Sequence, residues 1–183
     1  MRLADLDILF VPGLGNSGPD HWQSRWEKKL STARRIGLPD WDHPHCAAWT
    51  ARIVETVNAG TRPILIVAHS LGCAALAHAA PLIAPGRIKG AFLVAPAADA
   101  HIRALASVDP AFAPVPLVPL PFKSLCVTSD TDPDNATADM AALGAAWGAE
   151  VVSAGDAGHI NAASGHGPWP EGLLTLAGFL RKL

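Results

Sequence analysis

The stretch PILIVAHSLGCAALAHAA, Pro63 to Ala80, decides how the rest of the chain is read. Five apolar residues, Ile64 to Ala68, run without a polar break into His69, Ser70, Leu71 and Gly72, and an alanine-rich segment follows at once. A buried strand stops there and a helix starts, which puts the Ser70 hydroxyl on the turn between them. Ala68-His69-Ser70-Leu71-Gly72 is one residue away from G-x-S-x-G, the sharp strand-to-helix turn that exposes a nucleophilic serine. The residues two before and two after the serine must be small, because the turn brings their backbones together; Ala68 stands in for the first glycine. A serine at a helix start is also a favoured N-cap, so the pentapeptide alone leaves catalysis and capping open.

Outward from this stretch, short apolar runs recur at Ile8 to Val11, Ala91 to Ala95, Leu125 to Val127 and Val151 with Val152; a weaker strand signal lies near Arg35 and Ile36. Nearly all-apolar runs are expected of central parallel strands covered on both faces. Between them lie helical periods: Trp22, Trp26 and Leu30; Trp49, Ile53 and Val57; Ala136, Met140, Leu143 and Trp147; Leu173, Leu176, Ala177 and Leu180. These apolar residues read first as core. Alternating strands and helices predict an α/β fold, a mostly parallel open sheet with helices on both faces, whose chemistry lies just after the strands.

A chain of 183 residues suits one domain over 1–183 with no linker. Fourteen Lys plus Arg against 16 Asp plus Glu leave a formal net charge of −2, which argues against nucleic-acid or anionic-membrane partners. The N-terminus lacks the regions of a signal peptide, and no run approaches the length of a membrane span. Cys46, Cys73 and Cys126 have no metal-ligand spacing and suit reduced thiols, so a soluble cytoplasmic protein is expected.

A nucleophilic serine needs a base and an orienting acid, which in this fold follow in the order Ser, Asp or Glu, His. Ser129-Asp130-Thr131-Asp132-Pro133-Asp134 follows the Leu125 run, and Gly155-Asp156-Ala157-Gly158-His159 follows the Val151 run. Three loops in the required order, each at a strand's C-terminal end, favour the triad Ser70, Asp132 and His159 over unrelated loop residues. His166 is the rival base; His69 is expected to point away from Ser70, His78 lies within a helix, and His43 and His45 come too early. Asp132 precedes Pro133, which biases it toward an extended backbone that projects its carboxylate across the loop. Asp130 stays open, Asp99 is a third position, and Asp134 is expected to cap the helix of Met140. Cys73 is expected to pack in the helix that follows Ser70. The amide of Leu71 and one from the loop Val11 to Pro19, Leu14 first and Gly15 second, are the expected oxyanion donors.

Four segments together resemble one family. Pro12-Gly13 through Gly18-Pro19-Asp20-His21-Trp22-Gln23, Ala68 to Cys73, Ser129-x-x-Asp132-Pro133 and Gly158-His159-Ile160-Asn161 are similar to the small serine hydrolases. That family includes YdeN-like bacterial proteins and the retinoblastoma-binding serine hydrolase. The resemblance implies a compact α/β-hydrolase fold and carries the triad onto Ser70, Asp132 and His159. The Leu-x-Cys-x-Glu segment of a retinoblastoma-protein ligand is absent. Asp20, His21 and Trp22 match the family's early loop without a role following from the match; they shape a pocket or fix a helix start, where Asp20 is a possible cap.

The resulting expectation is a serine hydrolase acting on carboxylic esters through an acyl-enzyme, with no metal or organic cofactor and a small acyl compound as its partner. A binding protein with a vestigial triad and a peptidase or thioesterase are the alternatives. In this fold a lid is commonly inserted after the strand that follows the nucleophile helix. Here the interval from Pro96 to Lys123 is short and holds Pro96, Pro110, Pro114, Pro116, Pro119 and Pro121, so a stiff loop without a large lid is expected. Short acyl groups follow, with Phe112, Val115 and Leu117 as expected pocket walls.

Overall fold

The computed structural model describes residues 3–183, Leu3 by its backbone alone. In chain order the elements are β1 (Asp7–Val11), α1 (Trp22–Lys29), β2 (Ala33–Arg35), α2 (Cys46–Ala59), β3 (Ile64–His69) and α3 (Leu71–Ala79). They continue with β4 (Ile88–Val94), α4 (Asp99–Ala104), β5 (Lys123–Thr128), α5 (Thr137–Ala146), β6 (Glu150–Ser153) and α6 (Pro170–Leu180). The six strands form one sheet in the order β2-β1-β3-β4-β5-β6, and every pair is parallel.

Strand alternation divides the core in two. Leu9, Val11, Ile66, Ala68 and Leu93 face one side, where α2 and α3 cover them with Trp49, Ile53, Val57 and Leu76. Ile8, Phe10, Leu65, Val67, Phe92 and Val94 face the other, where α1 and α6 supply Trp22, Trp26, Leu176 and Phe179. Both sides of β1, β3 and β4 are thus out of water, which explains runs that are apolar instead of alternating. The stacked rings of Trp26 and Trp169, 5.6 Å apart and 9° from parallel, lock α1 to the start of α6.

The edges depart from expectation. β6 is largely exposed, because as the last strand it has a neighbour on one side only. β4 begins at Ile88 and ends at Val94, and Ala95 turns out of the sheet with φ 45°. Along α6 the buried residues are Gly172, Leu176, Phe179 and Leu180, whereas Ala177 is exposed; the apolar face is rotated from the one its leucines suggest. Ala136 caps α5 instead of belonging to its buried face. Between β4 and β5 the chain makes only the six-residue α4 and a single 3-10 turn at Pro110–Phe112, so no large lid forms. No helix among the described residues is long and apolar enough to cross a membrane.

The chain leaves β1 toward β2 on one side and returns through β3 on the other. This reversal opens a crevice at the carboxyl ends of β1 and β3, the place where ligands bind in open α/β sheets.

Candidate active site

Ser70 sits at that crevice between β3 and α3 with φ 53° and ψ −124°, a conformation that is costly for a residue with a side chain. Two glycines make the turn possible. A Cβ on Gly72 would lie 2.3 Å from the Val11 carbonyl oxygen, and one on Gly13 would lie 2.9 Å from Ser70 Cβ. The end of β1 therefore packs directly on the serine turn, and Ser70 is held by a 3.0 Å bond from its amide to Val94 O. Its side chain caps nothing: no cap bond forms to the α3 amides, so the hydroxyl is free for another partner.

That partner is His159. Its Nε2 lies 2.9 Å from Ser70 Oγ, and its Nδ1 lies 2.8 Å from Asp132 Oδ2. Because a carboxylate only accepts, Nδ1 carries the proton in the neutral ring and Nε2 accepts from the serine hydroxyl. The Asp132 side chain is fully buried. Its Oδ1 accepts the amides of Asp134 at 2.8 Å and Asn135 at 3.2 Å, which fixes the carboxylate against the imidazole.

The rival residues are occupied elsewhere. Asp130 accepts from Ser153 Oγ, Asp99 accepts the Val115 amide, and His166 bonds to Ser164. His78 bonds to the Phe112 carbonyl. Asp134 does not cap α5 as expected; its Oδ2 stands 3.8 Å from His159 Nδ1, at the rim of the same cavity. The helix starts three residues later, at Thr137, with Ala136 at its N-cap, so the Asp134 carboxylate lies outside its first turn. The Cys73 thiol is buried, lies 3.7 Å from Val94 O, and is pushed up by burial, which keeps it protonated and inert.

Gly15 donates its amide to Trp41 O at 2.8 Å and is already engaged. The Leu14 amide has no hydrogen-bond partner among the described residues, and Leu14 lines the cavity beside Ser70. The Leu71 amide, at the first position of α3, is one of the helix-start donors that lack an intrahelical partner.

A cavity of about 300 Å³ opens over Ser70, with Leu14, His21, His101, Leu105 and Asn161 among its walls. Phe112, Val115 and Leu117 are not among them. Phe112 is core, and Val115 and Leu117 line a separate groove that includes Ala98, Asp99 and Ala100 of the segment entering α4.

Two histidines enter this region beyond what the sequence reading assigned. His69 does not turn away: it lines the cavity, and its Nε2 donates to the His159 carbonyl at 2.9 Å. His21 is the N-cap of α1 in place of Asp20, its Nδ1 accepting the Gln23 amide at 3.1 Å, while Asp20 pairs with Arg25 at the surface. Burial first, then the charges of Arg35 and His159, lower His21 to about 4. Burial, and then its histidine neighbours, hold His69 well below the ordinary histidine range. Trp22 does structural work, its Nε1 donating to Ile160 O at 2.8 Å and so tying α1 to the loop of His159. The segment Asp20-His21-Trp22 was the available signal for His21; for His69, adjacency to the serine was the only one.

The serine hydrolase family matches residues 8–178. Among solved structures, a YdeN-like hydrolase from Pectobacterium atrosepticum is 33% identical, with TM-score 0.82 over 96% of this chain and 91% of that one. The ydeN gene product of B. subtilis is 18% identical, with TM-score 0.80 over 96% and 99%. A thermophilic esterase from Thermogutta terrifontis, 16% identical, has the same fold at TM-score 0.66 over 97% and 90%. No curated protein sequence matches significantly. A family match over nearly the whole sequence, and a relative one-third identical across the fold, make this chain a member of the serine hydrolase family with the α/β-hydrolase fold.

Proposed function

We propose that the protein hydrolyses carboxylic esters of short acyl chains through a covalent acyl-enzyme on Ser70. The observation that carries this reading is the unbroken run of hydrogen bonds from Ser70 Oγ through both nitrogens of His159 to Asp132.

In the reaction, His159 Nε2 takes the Ser70 proton while Oγ bonds to the ester carbonyl carbon, and the carbonyl electron pair moves onto its oxygen. The amides of Leu71 and Leu14 hold that oxyanion; a single such donor is worth on the order of 10² to 10³ in turnover. The pair returns, the carbon–oxygen bond to the alcohol breaks, and the alcohol leaves with the proton from Nε2. Water then repeats the sequence on the acyl-enzyme: His159 takes its proton, the acid departs, and Oγ recovers the proton. Asp132 remains ionised throughout and holds the imidazole in the tautomer required. The cavity of about 300 Å³ stands at the small end of ligand sites, which supports a short acyl group.

The test compares p-nitrophenyl acetate with its thioester and anilide counterparts. The ester is expected to give the highest kcat/KM, and Ser70→Ala to abolish turnover. Preference for the thioester or anilide contradicts the ester assignment.

A further inference from the structure

Besides Ser70 and His159 the cavity has six polar side chains, and in three of them, His21, Asn16 and Asn161, the acceptor atom already takes a bond from its own neighbourhood. His21 Nδ1 accepts the Gln23 amide at 3.1 Å. Asn16 Oδ1 accepts the Ser17 amide at 2.7 Å and the Arg35 guanidinium at 2.6 Å. Asn161 Oδ1 accepts the Ser164 amide at 3.0 Å. Backbone amides and guanidinium groups only donate, so these bonds fix the His21 tautomer and the orientation of both asparagine amides.

What each side chain has left is a donor: Nε2–H of His21 and the Nδ2 hydrogens of Asn16 and Asn161. None of the three nitrogens is bonded to a described residue, and none belongs to the unpaired polar atoms sealed from solvent. Buried as it is, with Arg35 nearby, the His21 ring stays neutral at ordinary pH and so donates without adding charge. These three side chains turn donors to the cavity, whereas its acceptors, the Asp134 carboxylate and the His69 and His101 rings, belong to other parts of the lining.

The position of these three donors assigns them to one half of the substrate. His159 Nε2 gives its proton to the departing oxygen, so the alcohol leaves on the side of His159. Asn161 is two residues further along the same loop. The His21 ring lies 5.0 Å from that of His69, which lies 4.9 Å from that of His159. Leu14 and Leu105 form the apolar part of the cavity.

We propose that His21, Asn16 and Asn161 form a leaving-group subsite for an alcohol that bears a carbonyl or carboxylate oxygen a few bonds from the ester. The proposal deepens the esterase reading above and rests on it. An oxygen with lone pairs and no hydrogen matches these three donors, and an alkyl group there leaves them without a partner. The Asp134 carboxylate at the rim favours the neutral carbonyl over the carboxylate.

Three acetates of matched length decide the matter: pentyl acetate, 4-oxopentyl acetate and 4-acetoxybutanoate, followed by acid release, with p-nitrophenyl acetate as the general ester. Wild type is expected to prefer the oxo ester over pentyl acetate by about tenfold in kcat/KM, the return from one or two hydrogen bonds. Asn161→Asp keeps the acceptor for the Ser164 amide and turns the donor into an acceptor; the preference should fall to near unity or reverse. Asn16→Asp inverts the second donor independently, should Asn161→Asp not fold. Preference for 4-acetoxybutanoate over pentyl acetate also supports the subsite and identifies a carboxylate. Equal rates on all three acetates, or a preference intact in both variants, overturns the subsite while leaving the esterase reading in place. No turnover even of p-nitrophenyl acetate overturns the esterase reading and the subsite with it.

Discussion

Ser70 holds positive φ because the turn that aims its hydroxyl at His159 leaves no room for a relaxed backbone, and Gly72 and Gly13 clear the space around it. The sequence made this turn legible, since only small residues fit two positions from the serine and Ala68 and Gly72 are small. Choosing among carboxylates was harder, because Asp130, Asp132 and Asp134 lie within five residues of one another and differ only in where the loop sends them. The residue before Pro133 reaches His159; Asp130 turns to Ser153. Asp132→Asn is expected to lower kcat on the order of 10⁴, the loss that follows when the imidazole is held in the wrong tautomer. Asp130→Asn should change it little. Equal losses measured on one ester substrate would transfer the orienting role away from Asp132.

At the scale of elements, α1 is where reading the sequence fell short. Its tryptophan spacing identified the helix, but for its start the sequence offered Asp20 as the possible cap, since aspartate is a common cap and histidine is not. The outcome depends on burial, which no local pattern reports: Asp20 lies at the surface and His21 under the aromatic cluster. A buried histidine makes this helix start sensitive to acid. The ring has an ordinary value near 6.5 and about 4 in the fold, so between those values the folded protein binds fewer protons than the unfolded chain. Its contribution is therefore complete above about pH 6.5 and is lost as pH falls toward 4. From the size of the shift the loss is about 3 kcal/mol. Urea unfolding of wild type and His21→Asn, which keeps a capping acceptor without a group titrating in that window, should show the steeper decline in wild type. Parallel slopes would mean that His21 is not held neutral.

For the molecule as a whole, the parallel sheet was legible because runs buried on both faces must be apolar throughout, and the candidate triad because the fold brings successive strand ends to one edge. The cavity walls were not legible: they come from α4, the β1 loop and the loop after β6, segments far apart in sequence that share no pattern. This is why Phe112, Val115 and Leu117 were expected in a pocket that Leu14, His101 and Leu105 line instead. With only the short α4 above the site, each additional methylene of a long acyl chain stays in water and forgoes about 0.8 kcal/mol. Across p-nitrophenyl esters from acetate to palmitate, kcat/KM should be highest for the short chains; a steady rise toward palmitate would mean that the acyl chain finds apolar surface outside the Ser70 cavity, such as the separate groove of Val115 and Leu117. The central claim, that Ser70 is an activated nucleophile, is tested most directly by treating the protein with a fluorophosphonate and locating the adduct by peptide mass spectrometry. One adduct on Ser70, absent from a folded Ser70→Ala variant, is the result expected; no adduct, or one that persists in Ser70→Ala or sits on Cys73, would contradict it.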